Sequence, residues 1–203
     1  MITIIDYGMG NLGSIRNMFK RIGVESEISG DRERIASANK ILLPGVGAFD
    51  AAMERIAQSG LTELLNKKVL EEKVPVLGIC LGMQLLTRSS EEGTLPGLGW
   101  IDAKTIKFNF PIGSPLKVPH MGWNRIYPVN DSPLIAGLPE EPRFYFVHSY
   151  YVKTNNPADV LTTTFHGHEF HSVVQHENIF GAQFHPEKSH RFGMKLLENF
   201  ARI

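Results

Sequence analysis

Two hundred and three residues, 42% of them hydrophobic, are enough chain for one well-packed domain that needs neither a disulfide nor a metal to fold. Lys+Arg and Asp+Glu number 21 each, so the formal net charge is zero, which argues against a nucleic-acid-binding protein and against an anionic membrane surface as partner. The single cysteine, Cys80, excludes an intramolecular disulfide and fits a reducing compartment.

The first half alternates short apolar runs with helical spacing. Ile2–Ile5 reads as a strand, Asp6–Asn11 as a Gly-rich turn, and Asn11 as the cap of a helix carrying Leu12, Ile15, Phe19 and Ile22, stopped by Gly23. Val24–Ser29 reads as a strand, Asp31–Ala38 as a short helix, and Ile41–Leu43 as a strand ending in Pro44–Gly47. Helices over 49–59 and 61–72, a buried strand over 74–79 and a helix over 81–89 follow. This rhythm predicts a mostly parallel sheet with helices on both faces and ligands at the carboxyl ends of the strands. After Ser90, Pro and Gly become frequent, and the segments 101–108, 116–118, 143–147, 150–152, 160–164, 170–175 and 179–184 read as short strands. His166-Gly167 and Glu177-Asn178 read as hairpin turns, and a last helix spans about 189–201. The second half is taken as antiparallel additions to the same sheet, and residues 1–203 as one domain. No apolar run reaches the ~18 residues of a spanning helix, and Met1–Asp6 lacks the basic stretch of a signal peptide, so the expected location is the cytoplasm, with no membrane contact.

The chemistry concentrates at Gly78-Ile79-Cys80-Leu81-Gly82, a strand–turn–helix with a cysteine where a nucleophile elbow carries its serine. Glycines on either side relieve crowding at a sharp turn, and the helix start behind the sulfur favours the thiolate. A buried structural cysteine at a strand end is the bland alternative. A thiol nucleophile needs a base that later protonates the leaving group. His185 ends an apolar run, and Glu187 shares a face with it if the chain is extended there, so it would hold the ring's tautomer; a turn histidine beside a solvated glutamate is the alternative. Pro44–Gly47 and the N–H of Leu81 are candidate oxyanion donors. His166, His168 and His171 are not read as a metal site, because i and i+5 on a strand point to opposite faces.

The motifs Asp6–Asn11 (DYGMGN), Pro44–Phe49 (PGVGAF), Gly78–Gln84 (GICLGMQ), Pro119–Asn124 (PHMGWN), Tyr145–Tyr150 (YFVHSY) and Gln183–Ser189 (QFHPEKS) span nearly the whole chain. It resembles the class I, triad-type glutamine amidotransferases, and within them it is most similar to the glutaminase subunits of imidazole glycerol phosphate synthase. The resemblance implies an α/β, flavodoxin-like three-layer sandwich and a Cys80–His185–Glu187 triad that hydrolyses glutamine to glutamate and ammonia through a γ-glutamyl thioester. It implies an oxyanion hole at Val46 and Leu81, and glutamine contacts at Gly45, Gly47, Gln84, Ser149 and Tyr150. It also implies no cofactor and a heterodimer with a (β/α)8-barrel cyclase subunit, which uses the ammonia to make imidazole glycerol phosphate and an aminoimidazole carboxamide ribonucleotide in histidine biosynthesis. Asn11, Arg16, His120, Met121, Trp123 and Lys188 match partner-interface positions. Three rivals stay open: a relative that feeds ammonia to a similar barrel for amidination of a surface-polysaccharide sugar, which the 188–193 segment resembles; an independent cysteine hydrolase; and a binding protein with a dead site.

Overall fold

The apolar runs of the first half become neighbouring parallel strands. In the computed structural model, which describes residues 1–203, the order is β1 (Ile2–Ile5), α1 (Leu12–Arg21), β2 (Ser26–Ser29), α2 (Arg32–Ala36), β3 (Ile41–Leu43), α3 (Phe49–Gln58), α4 (Thr62–Asn66), β4 (Val76–Ile79) and α5 (Leu81–Leu85). The second half adds β5 (Ser89–Ser90), β6 (Ala103–Lys107), β7 (His120–Arg125), β8 (Tyr127–Pro128), β9 (Arg143–His148), β10 (Tyr150–Thr154), β11 (Val160–Phe165), β12 (Glu169–His176), β13 (Ile179–Ala182) and α6 (His190–Arg202). The Asn11 side chain accepts from Ser14 N at 3.3 Å and caps α1, which buries Ile15 and Phe19; Gly23 at φ +74° follows its end. Asp31 caps α2 in the same way, accepting from Arg34 N at 2.9 Å.

The main sheet runs β2-β1-β3-β4-β13-β12-β10-β6-β5. The first five strands are parallel; β12, β10 and β6 then pair antiparallel in turn, β5 lies parallel to β6, and β11 joins at β12. The parallel strands inside the sheet, β1, β3, β4 and β13, are buried on both sides, while the edge strand β2 is half-buried. Ile5, Ile41, Leu43 and Val76 pack into one core with Phe49, Ile56 and Leu65, while Ile4, Leu42, Leu77 and Ile79 pack into another with Ile15, Phe19, Leu196 and Phe200. This alternation makes a three-layer α/β sandwich, because a strand covered on both faces is apolar at every position. No helix is long and apolar enough to cross a membrane.

Several elements differ from the sequence expectation. The 116–118 segment is not a strand; the strand lies just beyond it, at His120–Arg125, where Gly122 (φ +124°) breaks the β-branched pattern that would announce it. This β7 does not join the main sheet but forms a two-stranded antiparallel sheet with β9, so the additions of the second half are not all on one sheet. The helix expected over 81–89 stops at Leu85, and Ser89–Ser90 pairs with β6 instead. The helix over 61–72 opens into a π turn at Lys67–Glu71, which carries the buried Lys68, bonded to the Ala36 carbonyl at 2.8 Å and to Glu72 at 2.6 Å.

Candidate active site

Three parallel strands end side by side: Leu43 pairs with Gly78, and Ile79 with Ala182. The Pro44–Gly47 turn, Cys80 and the Gln183–His185 segment therefore emerge together at the carboxyl edge of the sheet, where α/β folds gather their ligands.

Cys80 sits at φ 54°, ψ −111°, a left-handed conformation that a β-carbon disfavours, and its N–H donates to the Ala182 carbonyl at 2.8 Å. The elbow holds because its neighbours lack side chains. A β-carbon on Gly82 would overlap the Leu43 carbonyl, and one on Gly45 would lie 2.8 Å from Gly82 N and 2.9 Å from the Tyr7 hydroxyl oxygen. The Pro44–Gly47 turn and α5 can therefore touch backbone to backbone. Tyr7, whose hydroxyl donates to the Pro44 carbonyl at 2.6 Å, closes this contact from below. Burial, and then the charge of Cys80, push the Tyr7 hydroxyl's pKa well up, so it stays a neutral donor.

His185 is 2% exposed, and its N–H donates to the Tyr145 carbonyl at 2.9 Å. Its Nδ1 lies 2.7 Å from Glu187 Oε1. The chain between them is not extended: Pro186–Lys188 is a 3₁₀ turn with Pro at its first position, and the turn brings the carboxylate back to the ring. Ser189 locks the turn, its hydroxyl donating to the His185 carbonyl at 2.6 Å and accepting from Tyr145 N at 3.0 Å. Burial opposes a charge on His185, but the neighbouring Cys80 sulfur and the Glu187 carboxylate outweigh it and raise the ring's pKa to about 9. At neutral pH the ring is held as an imidazolium beside the sulfur.

A cleft of about 360 Å³ opens over this edge, lined by Val46, Gly47, Cys80, Leu81, Gln84, Ser149, Tyr150, His185 and Lys188, and also by Glu92, Pro119, Val147 and His148. Nine of the residues singled out in the sequence thus share one cavity. Gly45 does not line it; it is buried beneath, in the packing contact described above. The N–H groups of Val46 and Leu81 donate to no backbone or side-chain acceptor of the chain. No group of three or more His, Cys, Asp or Glu side chains is arranged to hold a metal ion.

The residues expected at a partner face divide. Asn11, Arg16, Met121, Trp123 and Lys188 are exposed, and the Trp123 ring stacks on His190 at 5.4 Å between centroids. His120 is not on the surface: it is 5% exposed, because β7 turns its side chain inward while its neighbours Met121 and Trp123 point out. His166 stacks on His120, His168 meets the Tyr151 hydroxyl at 2.9 Å, and His171 accepts from Thr154 N at 3.2 Å.

Two residues of the site escape sequence reading. Glu92 lines the cleft and accepts from Phe49 N at 3.0 Å; burial raises its pKa, and nearby Asp50 adds to that against the Phe49 hydrogen bond. Gln183, fully buried, places its Nε2 3.9 Å from Cys80 Sγ. The sequence does carry a signal for Gln183, its place two residues before His185; it carries none for Glu92, which reaches the cleft by the fold alone.

An elbow cysteine, a histidine–carboxylate pair and a Gly turn at the end of parallel strands are the parts of a thiol-dependent acyl-transfer site. Residues 3–203 match the family model described as glutamine amidotransferase class-I, and the chain belongs to that family. Over its whole length it is 55% identical to a protein of Methanococcus maripaludis, and 49% identical to one of Pseudomonas aeruginosa, each named imidazole glycerol phosphate synthase subunit HisH 2; the alignments cover 99% and 100% of those proteins. Among solved structures, it resembles a putative GMP synthase subunit from Thermoplasma acidophilum, with a TM-score of 0.73 at 20% identity over 99% of this chain and 92% of that one.

Proposed function

We propose that the chain, acting as one domain over residues 1–203, is the glutaminase subunit of an imidazole glycerol phosphate synthase. The observation that carries the reading is the placing of Cys80, His185 and the Val46–Gly47 turn in one cleft, with Glu187 on the far nitrogen of His185. Full-length similarity to proteins bearing that name supports the pathway.

With the His185 ring already protonated at neutral pH, Cys80 attacks the side-chain amide carbon of glutamine as the thiolate paired with that imidazolium. The N–H groups of Val46 and Leu81, which have no acceptor in the protein, receive the developing oxyanion. The His185 imidazolium gives its proton to the leaving amine, the C–N bond breaks, and ammonia departs from the γ-glutamyl thioester. Neutral His185 then takes a proton from water, the hydroxide equivalent adds to the thioester, and glutamate leaves as the C–S bond breaks and the thiolate–imidazolium pair is restored. Glu187 fixes the Nδ1–H tautomer and stabilises the imidazolium. Gly47, Gln84, Ser149 and Tyr150 hold the substrate, and the Glu92 carboxylate faces its α-ammonium group. Ammonia passes to a (β/α)8-barrel cyclase subunit that docks across Asn11, Arg16, Met121, Trp123 and Lys188. A thiol nucleophile that must remain reduced fits the cytoplasm.

The test measures glutamate released from glutamine by the chain alone, then with a cyclase barrel subunit of the histidine pathway carrying its phosphoribulosyl ligand. Stimulation by the loaded barrel, abolished by Cys80→Ala, is the expected result. Cys80-dependent hydrolysis that this barrel does not stimulate moves the acceptor to a sugar-modifying partner, and an inert Cys80 under every condition overturns the enzyme reading.

A further inference from the structure

At the cleft wall, with His148 lining it and His120 behind, lies a buried pair of imidazoles that the hydrolysis steps do not use. His120 and His148 face each other in the β7–β9 register, with His120 Nδ1 3.0 Å from His148 Nε2. The tautomers follow from the partners. His148 Nδ1 lies 2.7 Å from the Tyr150 carbonyl, which only accepts, so Nδ1 carries the proton and Nε2 is bare. His120 must then donate from Nδ1, and its own bare Nε2 meets Asn124 Nδ2 at 3.1 Å. Burial keeps both rings neutral, lowering His120 to about 4 and His148 to about 3.

The Tyr150 carbonyl also accepts from Gln84 Nε2 at 3.0 Å, and the same amide nitrogen lies 3.2 Å from Gln183 Oε1. Gln183 Nε2 in turn faces Cys80 Sγ. Hydrogen bonds therefore run unbroken from Asn124 on β7 to the nucleophile. The run cannot carry a proton, because the Tyr150 carbonyl accepts from both sides. It can only set positions: the imidazole pair fixes the carbonyl, and the carbonyl fixes the Gln84 amide at the cleft wall.

We propose that His120 and His148 are positioning residues for the glutamine site, holding the Tyr150 carbonyl and through it Gln84; the inference rests on the glutaminase reading above. It also places the exposed Met121 and Trp123 on the same strand as the first imidazole of the run.

The experiment compares KM and kcat for glutamine, in the complex with the loaded barrel, for His120→Phe and His120→Asn. Phe fills the aromatic surroundings of Phe108, Phe146 and Phe170 but has no donor, whereas Asn is small but presents its amide N–H near the position of Nδ1. Positioning predicts that His120→Phe raises KM about tenfold, more than it lowers kcat, and that His120→Asn stays within about threefold of the unaltered protein, as one hydrogen bond lost or kept requires. A filling role predicts the reverse order, and that order, or no KM change in either variant, overturns the proposal. Nitrogen-15 spectra of the histidine-labelled chain must show both rings neutral and protonated at Nδ1 at pH 6; an Nε2–H tautomer at either ring overturns it while leaving the glutaminase reading intact. An unaltered complex without Cys80-dependent hydrolysis overturns the glutaminase reading and the positioning role with it.

Discussion

His185 Nδ1 and Glu187 Oε1 stand 2.7 Å apart, both side chains 3% exposed, on either side of Pro186. A carboxylate this close and this dry is the main stabiliser of the ring's charge apart from the sulfur itself. Glu187→Gln keeps the shape and removes the charge. It is expected to lower kcat for glutamine hydrolysis by about a hundredfold, the scale of general acid–base assistance, with a smaller effect on KM. Steady-state rates at saturating glutamine check this, and a loss under threefold would remove Glu187 from the triad.

The same pair makes stability depend on pH. His185 is raised from 6.5 to about 9 in the folded chain, so the fold keeps a proton that the unfolded chain gives up near its ordinary value. The stabilisation is whole below pH 6.5 and disappears as pH rises through about 9, an effect on the order of 3 kcal/mol. Urea unfolding between pH 6 and 9.5 should show the unaltered chain losing this increment, and Glu187→Gln losing less of it. Parallel curves for the two proteins would count against the assignment.

Glu92 is the one carboxylate on the wall of the cleft. Glu92→Gln is expected to raise KM for glutamine roughly tenfold to a hundredfold, the worth of a hydrogen bond to a charged group, while kcat changes little. A substrate analogue lacking the α-amino group should be indifferent to the substitution. If both substrates weaken equally, Glu92 supports the Phe49 turn rather than the ligand.

Gly82 and Gly45 are held to glycine by backbone on the opposite side of the contact. Gly82→Ala is expected to cost about 1–3 kcal/mol in urea unfolding, as overpacking does, and to slow alkylation of Cys80 by iodoacetamide because the elbow shifts. Unchanged stability together with unchanged alkylation would show that the Leu43–Gly82 contact yields freely.

Trp123 is half exposed, and its ring is parallel to that of His190, with an interplanar angle of 1°. Trp123→Ala should weaken binding of the barrel subunit by about 1–3 kcal/mol without altering glutamine-independent labelling of Cys80. Calorimetric titration of the barrel into each protein measures the difference; equal affinities would take Trp123 out of the interface.

The parallel half is legible in the sequence because its inner strands are closed apolar runs between turn signals, as at Ile41–Leu43 before Pro44, whereas the edge strand Ser26–Ser29 is mostly polar. Cys80 is legible because its glycines are local. The His185–Glu187 contact is reached for a mistaken reason: extended chain and 3₁₀ turn both bring residues i and i+2 close, so the pair forms although the backbone differs. His120 is misplaced on the surface because motif membership says nothing about face; the exposed Met121 and Trp123 oblige it to point inward. Neither Glu92 nor the paired imidazoles are visible in the chain order, since their neighbours arrive from β9, β10 and the start of α3.

Cys80 is the only sulfhydryl in the chain and is 7% exposed, reachable through the mouth that admits glutamine. If peroxide converts it to the sulfenic acid, no second thiol in the chain stands by to trap that state as a disulfide. Repair must come from a small thiol able to enter the same mouth, and failing that, oxidation proceeds to the sulfinic acid, which is not reduced by thiols. An occupant of that mouth would therefore shield the sulfur, so a bound substrate would protect Cys80 from peroxide while it fills the cleft.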